Sequence, residues 1–153
     1  MLKFVPMNQA EFDEFRNICE VDYRESLITA GLTKAAATKK AKRDTHMIKN
    51  GLATPDNFFY NIARDDGICV GHFWWGVKEI DEAQTAYIYD IRLKKEFRGH
   101  GHGREAMTLF EKDAVAKGYK KLGLNVFGYN VPARKLYQNM GYKEVSIFMG
   151  KDL

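Results

Sequence analysis

Residues 96–107, EFRGHGHGREAM, gather residue types from which a ligand site can be made. There are two histidines, His100 and His102, glycines at alternate positions, Gly99, Gly101 and Gly103, and an arginine at either end, Arg98 and Arg104. Three chemistries compete for this pattern. Histidines one residue apart can chelate, but a metal centre takes three or four ligands. His46 and His72 are remote in sequence, with no carboxylate–histidine motif around either, so no metal is expected. The run Gly101-x-Gly103-x-x-Ala106 satisfies a relaxed dinucleotide-binding pattern, which follows a strand and opens a helix. That pattern also needs an acid at the end of the next strand to hold a ribose, and the next strand-like run, LGLNVF, has Asn125 and neither Asp nor Glu. No Gly-Lys-Ser/Thr follows, which excludes a P-loop. The third chemistry is an anion cradle built on Arg98-x-x-Gly101-x-Gly103. A turn with little side-chain bulk aims successive backbone N–H groups into one concavity, and a helix start adds about half an elementary positive charge. On this reading a side chain at Gly101 or Gly103 would intrude on a bound phosphate, and Arg98 and Arg104 add cationic support. Loops and helix ends also use glycine, so the glycines alone do not decide.

The elements around this loop must position it. Leu2–Val5 reads as a strand. Asn8 followed by Glu11 has the form of a capping box, and Phe12, Phe15, Ile18 and Cys19 then share one face of a helix that Gly31 stops. Thr33 caps a second helix expected to run to Gly51. Its basic cluster, Lys39, Lys40, Lys42 and Arg43, lacks interleaved aromatics and reads as a solvated face rather than a nucleic-acid patch. Three strand-like runs follow, Phe58–Arg64, Ile68–Val77 and Thr85–Leu93, separated by the turns Asp65-Asp66-Gly67 and Glu79–Glu82. The glycine loop leads into a helix over Arg104–Lys117, a strand over Leu122–Phe127, and a last helix capped by Asn130 with Pro132 in its first turn. Ala133, Leu136, Tyr137 and Met140 line that helix's apolar face, and Tyr142–Met149 reads as a final strand. The order is β-α-α-β-β-β-α-β-α-β, an α/β (mixed α+β) arrangement with helices on both faces of a mixed sheet. The strand–helix–strand unit requires parallel neighbours.

Length and composition narrow the class. A chain of 153 residues fits a single domain over 1–153, and 45% hydrophobic with 29% charged residues is the balance of a folded soluble protein rather than a disordered one. No apolar run has membrane-spanning length, and the N-terminus lacks a signal-peptide pattern, so a cytoplasmic protein with no membrane association is expected. Cys19 and Cys69 have no zinc or disulfide spacing and read as buried small hydrophobes. A net charge of +4 favours an anionic ligand without naming it.

The segments AYIYDIRLKKEFRGHGHGREAM and LGLNVFGYNVPARKLYQNMGYKEV, at their mutual separation, resemble the GNAT superfamily of N-acetyltransferases. The resemblance runs from about Ala86 to Val145 and rests on the Arg-x-x-Gly-x-Gly turn and the Asn-x-x-Ala-x-x-x-Tyr-x-x-x-Gly-Tyr run. It implies a GNAT-like, mostly antiparallel sheet whose parallel fourth and fifth strands splay apart, often with a bulge in the fourth. It also implies acetyl-CoA as co-substrate in that gap. Arg98, Gly99, His100, Gly101, His102, Gly103 and Arg104 would then wrap the pyrophosphate through backbone N–H groups. Ile91, Arg92 and Leu93 would pair by backbone with the pantetheine arm, Asn130 would hydrogen-bond it, and Tyr137 would sit near the sulfur. The implied reaction is acetyl transfer to a primary amine by direct attack through a tetrahedral intermediate.

That chemistry makes three demands. A backbone N–H near Ile91 would stabilise the oxyanion. A phenol would protonate the leaving thiolate, which nominates Tyr137 as general acid, although its spacing equally suits an apolar helix face. The amine must be neutral, and one with pKa about 10.4 is neutral in fewer than about one molecule per thousand at pH 7. Some family members place a glutamate base on the fifth strand. Asn125 takes that kind of position here and cannot act as a base, which leaves Asp90 as the nearest carboxylate in sequence, with a water chain as an equal alternative. Asp22, Glu25 and Asp56 would be able to attract a cationic small-molecule or peptide acceptor. A non-catalytic acyl-CoA-binding module on the same fold is the competing reading, and a homodimer is possible by analogy with the family.

Overall fold

Asn8 ends the first strand and starts the first helix in one step. Its side chain accepts a hydrogen bond from the Glu11 N–H at 3.0 Å while the Glu11 carboxylate accepts from the Asn8 N–H at 2.9 Å. This closes the capping box over the otherwise unpaired first-turn donors. In the computed structural model, which describes all of residues 1–153, strand β1 is Leu2–Pro6 and helix α1 is Gln9–Thr29. Helix α2, Lys34–Thr45, is capped by Thr33 as expected. It ends sooner than the sequence suggests. The Thr45 hydroxyl turns back to the carbonyls of Ala41 and Lys42, and a 3₁₀ turn over His46–Ile48 brings Ile48 fully into the core.

Strands β2 (Asn57–Arg64), β3 (Cys69–Ile80) and β4 (Ala83–Leu93) form the antiparallel meander. The β3–β4 turn has Asp81 and Glu82 both at positive φ, 49° and 62°, as a two-residue hairpin of right-handed twist requires. Helix α3 is His102–Ala116, β5 is Leu122–Leu124 and lies parallel to β4, and α4 is Val131–Asn139. The five strands lie side by side in sequence order. No helix is long and apolar enough to cross a membrane.

Two apolar layers sandwich the sheet. On one face Ala106, Met107, Phe110 and Ala114 of α3 pack on Leu2, Ile62, Phe73, Trp75, Ala86 and Ile88, with Leu136 and Tyr137 of α4 and its C-cap Met140 leaning on the rim. On the other, Phe12, Phe15 and Cys19 of α1 pack on Phe59 and Trp74, while Ile18 points largely to solvent. Leu27, Ala37 and Ala41 clasp α1 to α2. Asp113 pins the first layer, accepting from the Tyr60 hydroxyl at 3.0 Å and the Trp75 indole N–H at 3.1 Å.

Two strand expectations are corrected. The fifth strand pairs over three residues only, because it diverges from β4 after Leu124. The expected strand over Tyr142–Met149 does not form. Gly141, at φ 91°, stops α4 and the Tyr142 N–H still reaches the Tyr137 carbonyl, but residues 143–153 meet no strand edge and stay unpaired.

Candidate active site

The site begins where β4 and β5 part. Their pairing runs Ala86–Leu122, Tyr87–Gly123 and Ile88–Leu124, and then stops, while β4 continues alone to Leu93. A cavity of about 830 Å³ opens at the divergence. Ile88–Arg92 form one wall, Leu124–Phe127 with Asn130 and Tyr137 the other, and Cys19, Tyr23 and Asp44 of α1 and α2 the roof.

A bulge sets the side-chain geometry. Trp74 pairs with Asp90 and Trp75 with Ile88, which leaves Tyr89 as an extra residue in β4. Alternation along the strand therefore changes phase. Ala86 and Ile88 face the α3 layer before the bulge, and Ile91 and Leu93 face it afterwards. Asp90 and Arg92 are thereby turned to the α1 face, beside His72 and Trp74 of β3. The shift from even to odd apolar positions in AYIYDIRL is the sequence signal that announces it.

On that face His72 Nε2 and Asp90 Oδ2 lie 2.6 Å apart, both largely buried, with Phe15 set edge-on to the imidazole at 4.9 Å. Arg92 pairs with Asp22 at 2.9 Å, and its Nε is buried without a partner. Burial pushes the Cys19 thiol well above the usual thiol range, with the Asp90 charge adding to the effect, so Cys19 is a neutral wall and not a nucleophile. Tyr137 reaches the cavity from α4. Burial pushes its phenol up to about 12, and the negative charge of Asp90 acts in the same direction. Sequence reasoning missed His72, whose partnership with Asp90 depends on strand register across 18 positions.

The glycine loop is built differently from the expectation in two respects. Gly99 and Gly101 take left-handed φ values of 79° and 82°, with open space where a Cβ would stand. They are required by backbone conformation. Gly103 has ordinary φ, and a Cβ there would meet Leu136 Cδ2 at 3.2 Å, so it sets the close approach of α3 to α4. Gly101 is the N-cap of α3 and no side chain caps that helix, leaving its first-turn N–H groups open to an anion. Arg98 does more than supply charge, because its Nε donates to the Leu93 carbonyl at 2.9 Å and ties the loop to the end of β4. His102 leans toward Glu105 at 3.9 Å, and its ring is tilted against that of His100 at 6.3 Å between centroids. No three His, Cys, Asp or Glu side chains converge as a metal cluster.

Asn130 caps α4 through the Ala133 N–H at 3.3 Å and also faces the cavity. Of the acids expected to draw an amine, Asp22 is paired with Arg92, Glu25 with Arg24, and Asp56 lies in the turn before β2. Asp44 lies at the cavity roof and is likewise paired, accepting from the Tyr23 hydroxyl at 3.0 Å, from Lys40 at 2.9 Å and from Arg43 at 3.0 Å.

The sequence profile of the acetyltransferase (GNAT) family matches residues 12–142. The chain belongs to the GNAT family. Two proteins of Bacillus subtilis named as uncharacterized N-acetyltransferases are relatives over nearly their full lengths. YycN is 30% identical over 154 residues, covering 99% of each chain. YdgE is 33% identical over 149 residues, covering 96% of this chain and 95% of its own. The crystal structure of YycN aligns over 100% of this chain and 99% of its own with a TM-score of 0.93 at 30% identity. AAC(6')-Iy, solved with the bisubstrate analogue CoA-S-monomethyl-acetylneamine, aligns over 100% of this chain and 99% of its own at a TM-score of 0.61 and 16% identity, a likeness of fold. This GNAT chain is therefore an acetyltransferase by family, with a mixed sheet of the expected kind and parallel β4 and β5.

Proposed function

We propose that this protein transfers an acetyl group from acetyl-CoA, held between β4 and β5, to a primary amine entering under α1 and α2. The observation that carries the reading is the parting of β4 from β5 beyond Ile88–Leu124, which leaves the β4 edge beside the cavity without a strand partner. Such an edge is a row of unmatched backbone groups and demands an alternative partner. The uncapped, glycine-built start of α3 fits the other end of the same co-substrate. Residues 98–104 would hold its pyrophosphate, Ile91, Arg92 and Leu93 its pantetheine arm by backbone, and Asn130 would add a polar contact.

Acetyl-CoA supplies an acetyl group activated as a thioester; the protein positions and moves protons. The Ile91 backbone N–H is the candidate to face charge growing on the carbonyl oxygen. The new N–C bond forms as the C–S bond breaks, so one proton must leave nitrogen and one must reach sulfur. Asp90, in contact with His72 and lining the cavity, would take the first. Tyr137 donates the second. With its phenol near 12 and a thiol near about 8.5, complete transfer by itself would be uphill by about 5 kcal/mol. Donation is therefore productive when the amine's proton returns to the phenolate in the same turnover. The Asp90 carboxylate and the rings of Tyr23, Trp74, Tyr89 and Phe127 suit a cationic small-molecule or peptide amine, by charge and by cation–π attraction.

The test is thiol release from acetyl-CoA with a panel of diamines, amino sugars, amino acids and peptides. Release that depends on the added amine is expected. Tight acetyl-CoA binding with no release for any amine would overturn catalysis in favour of an acyl-CoA-binding module.

A further inference from the structure

The cavity carries charge in an uneven pattern. Its charged wall residues are Lys40, Arg43, Lys78, Arg92, Asp44 and Asp90. Arg92 is matched by Asp22 at 2.9 Å, and Asp90 lies against His72 at 2.6 Å. Lys40 and Arg43 share a single carboxylate, Asp44, at 2.9 and 3.0 Å. Lys78 makes no ion pair; its ammonium lies over the Tyr87 ring, 4.6 Å from the centroid. Glu79 follows it in sequence, but strand alternation sends that side chain to the opposite face. Asp81 and Glu82 form the turn beyond, and neither lines the cavity. Three cations against Asp44 alone leave the end of the cavity under α2 positive.

Strand register locates this excess. Lys78 is opposite Thr85 near the start of β4, whereas Leu93, at the other end of β4, leads into the glycine loop. The strand from Thr85 to Leu93 is roughly 25 Å long. A pyrophosphate at the glycine loop is thus out of reach of Lys78, and this cation serves a different anion. Asp90 is opposite Trp74, four residues before Lys78 on β3. That is roughly 13 Å of strand, shortened to roughly 10 Å because Lys78 leans back over Tyr87. The floor between them is aromatic. Trp74 stacks on Tyr89 at 4.6 Å, and Tyr89 meets Tyr87 edge-on at 5.0 Å. A carboxylate, an apolar floor and an unpaired ammonium therefore follow one another along one face of the sheet.

We propose that the acceptor is a primary amine that carries an anionic group, a carboxylate or a phosphate, at the far end of a short chain. This rests on acetyl transfer at the cavity and deepens that reading. The amine lies at Asp90, the chain crosses Trp74, Tyr89 and Tyr87, and Lys78 receives the anion beneath Lys40 and Arg43. Lys78 is then a specificity-determining residue. A second ammonium in place of the anion, as in a diamine, would face it and be repelled.

Thiol release from acetyl-CoA tests this with amines paired to differ in the anion. Lysine against 1,5-diaminopentane probes a carboxylate, and glucosamine 6-phosphate against glucosamine probes a phosphate. In at least one pair the anionic member should have kcat/KM higher by about tenfold or more, the effect of one charge-assisted contact. The pair that shows it names the group. Lys78→Met should bring that ratio toward one and Lys78→Glu should invert it, with KM for acetyl-CoA unmoved. Lys78 is exposed, so both variants should fold. If Lys78→Glu does not, Lys78→Met still decides, together with a wild-type ratio that shrinks as KCl rises from about 50 to 500 mM. Equal rates within both pairs, or faster release with the members lacking the anion, would overturn the inference and leave acetyl transfer standing. A ratio untouched by Lys78→Met would overturn it too, because the anion would then be read elsewhere. Acetyl-CoA binding without release for any amine would overturn acetyl transfer itself, and the inference with it.

Discussion

At the residue scale the candidate groups come from two faces of one sheet. Asp90 and His72 lie on the α1 side, while Tyr137 comes from α4 beyond the gap. On the proposed mechanism the cleft would separate proton removal at Asp90 from proton delivery at Tyr137. Replacing Tyr137 by Phe removes the donor and keeps the ring. We expect kcat to fall by about 10²-fold with KM for acetyl-CoA changed little, the signature of an interaction that matters in the transition state. Undiminished turnover would remove Tyr137 from the mechanism. Because its phenol is held near 12, Tyr137 imposes no alkaline limb on kcat below about pH 11. Asp90→Asn should lower kcat/KM by about 10²-fold at pH 7, and raising the pH should recover part of the loss as more amine becomes neutral without help. A pH-independent deficit would point to a structural role for the His72 contact instead.

At the element scale the local signals were legible and the pairwise ones were not. Asn8 with Glu11, Thr33 and Asn130 all cap helices where the sequence placed them, since a cap is decided within four residues. Family resemblance implies a bulge in the fourth strand without giving its position, and neither its place at Tyr89 nor the His72–Asp90 contact is legible, because both depend on how β3 registers against β4. The Tyr142–Met149 run has strand character, but a strand exists only against an edge, and within one chain that edge is not reached. Gly71 was passed over for the same reason. A Cβ there would stand 2.0 Å from the Arg92 carbonyl oxygen of the neighbouring strand. Gly71→Ala should force β3 and β4 apart beside Arg92, costing about 3 kcal/mol. Urea denaturation measures that cost, and a change under about 0.5 kcal/mol would show that the strands separate freely there.

At the scale of the whole molecule, stability should fail from the alkaline side. Burial raises the phenols of Tyr23, Tyr60, Tyr87, Tyr89, Tyr137 and Tyr142 above their ordinary value of 10.0, with Tyr23, Tyr87 and Tyr137 at about 12. Folded phenols then hold protons that unfolded ones release. Their contribution is intact below about pH 10 and is lost as pH climbs through the raised values. The urea midpoint should be level from pH 8 to 9.5 and fall steeply by pH 11, and a flat profile to pH 11.5 would contradict the burial of these rings.

The two-sided sheet has a spectroscopic consequence. The chain's two tryptophans are neighbours in sequence yet belong to different layers: Trp75 is sealed beneath α3 and Trp74 borders the cavity. Each therefore reports a separate event. With Trp75→Phe, the remaining indole should change its emission when acetyl-CoA or an amine enters. With Trp74→Phe, the remaining one should stay silent to ligand and respond only when the α3 layer comes apart. Adjacent chromophores would thus let one instrument follow occupancy and unfolding on independent channels.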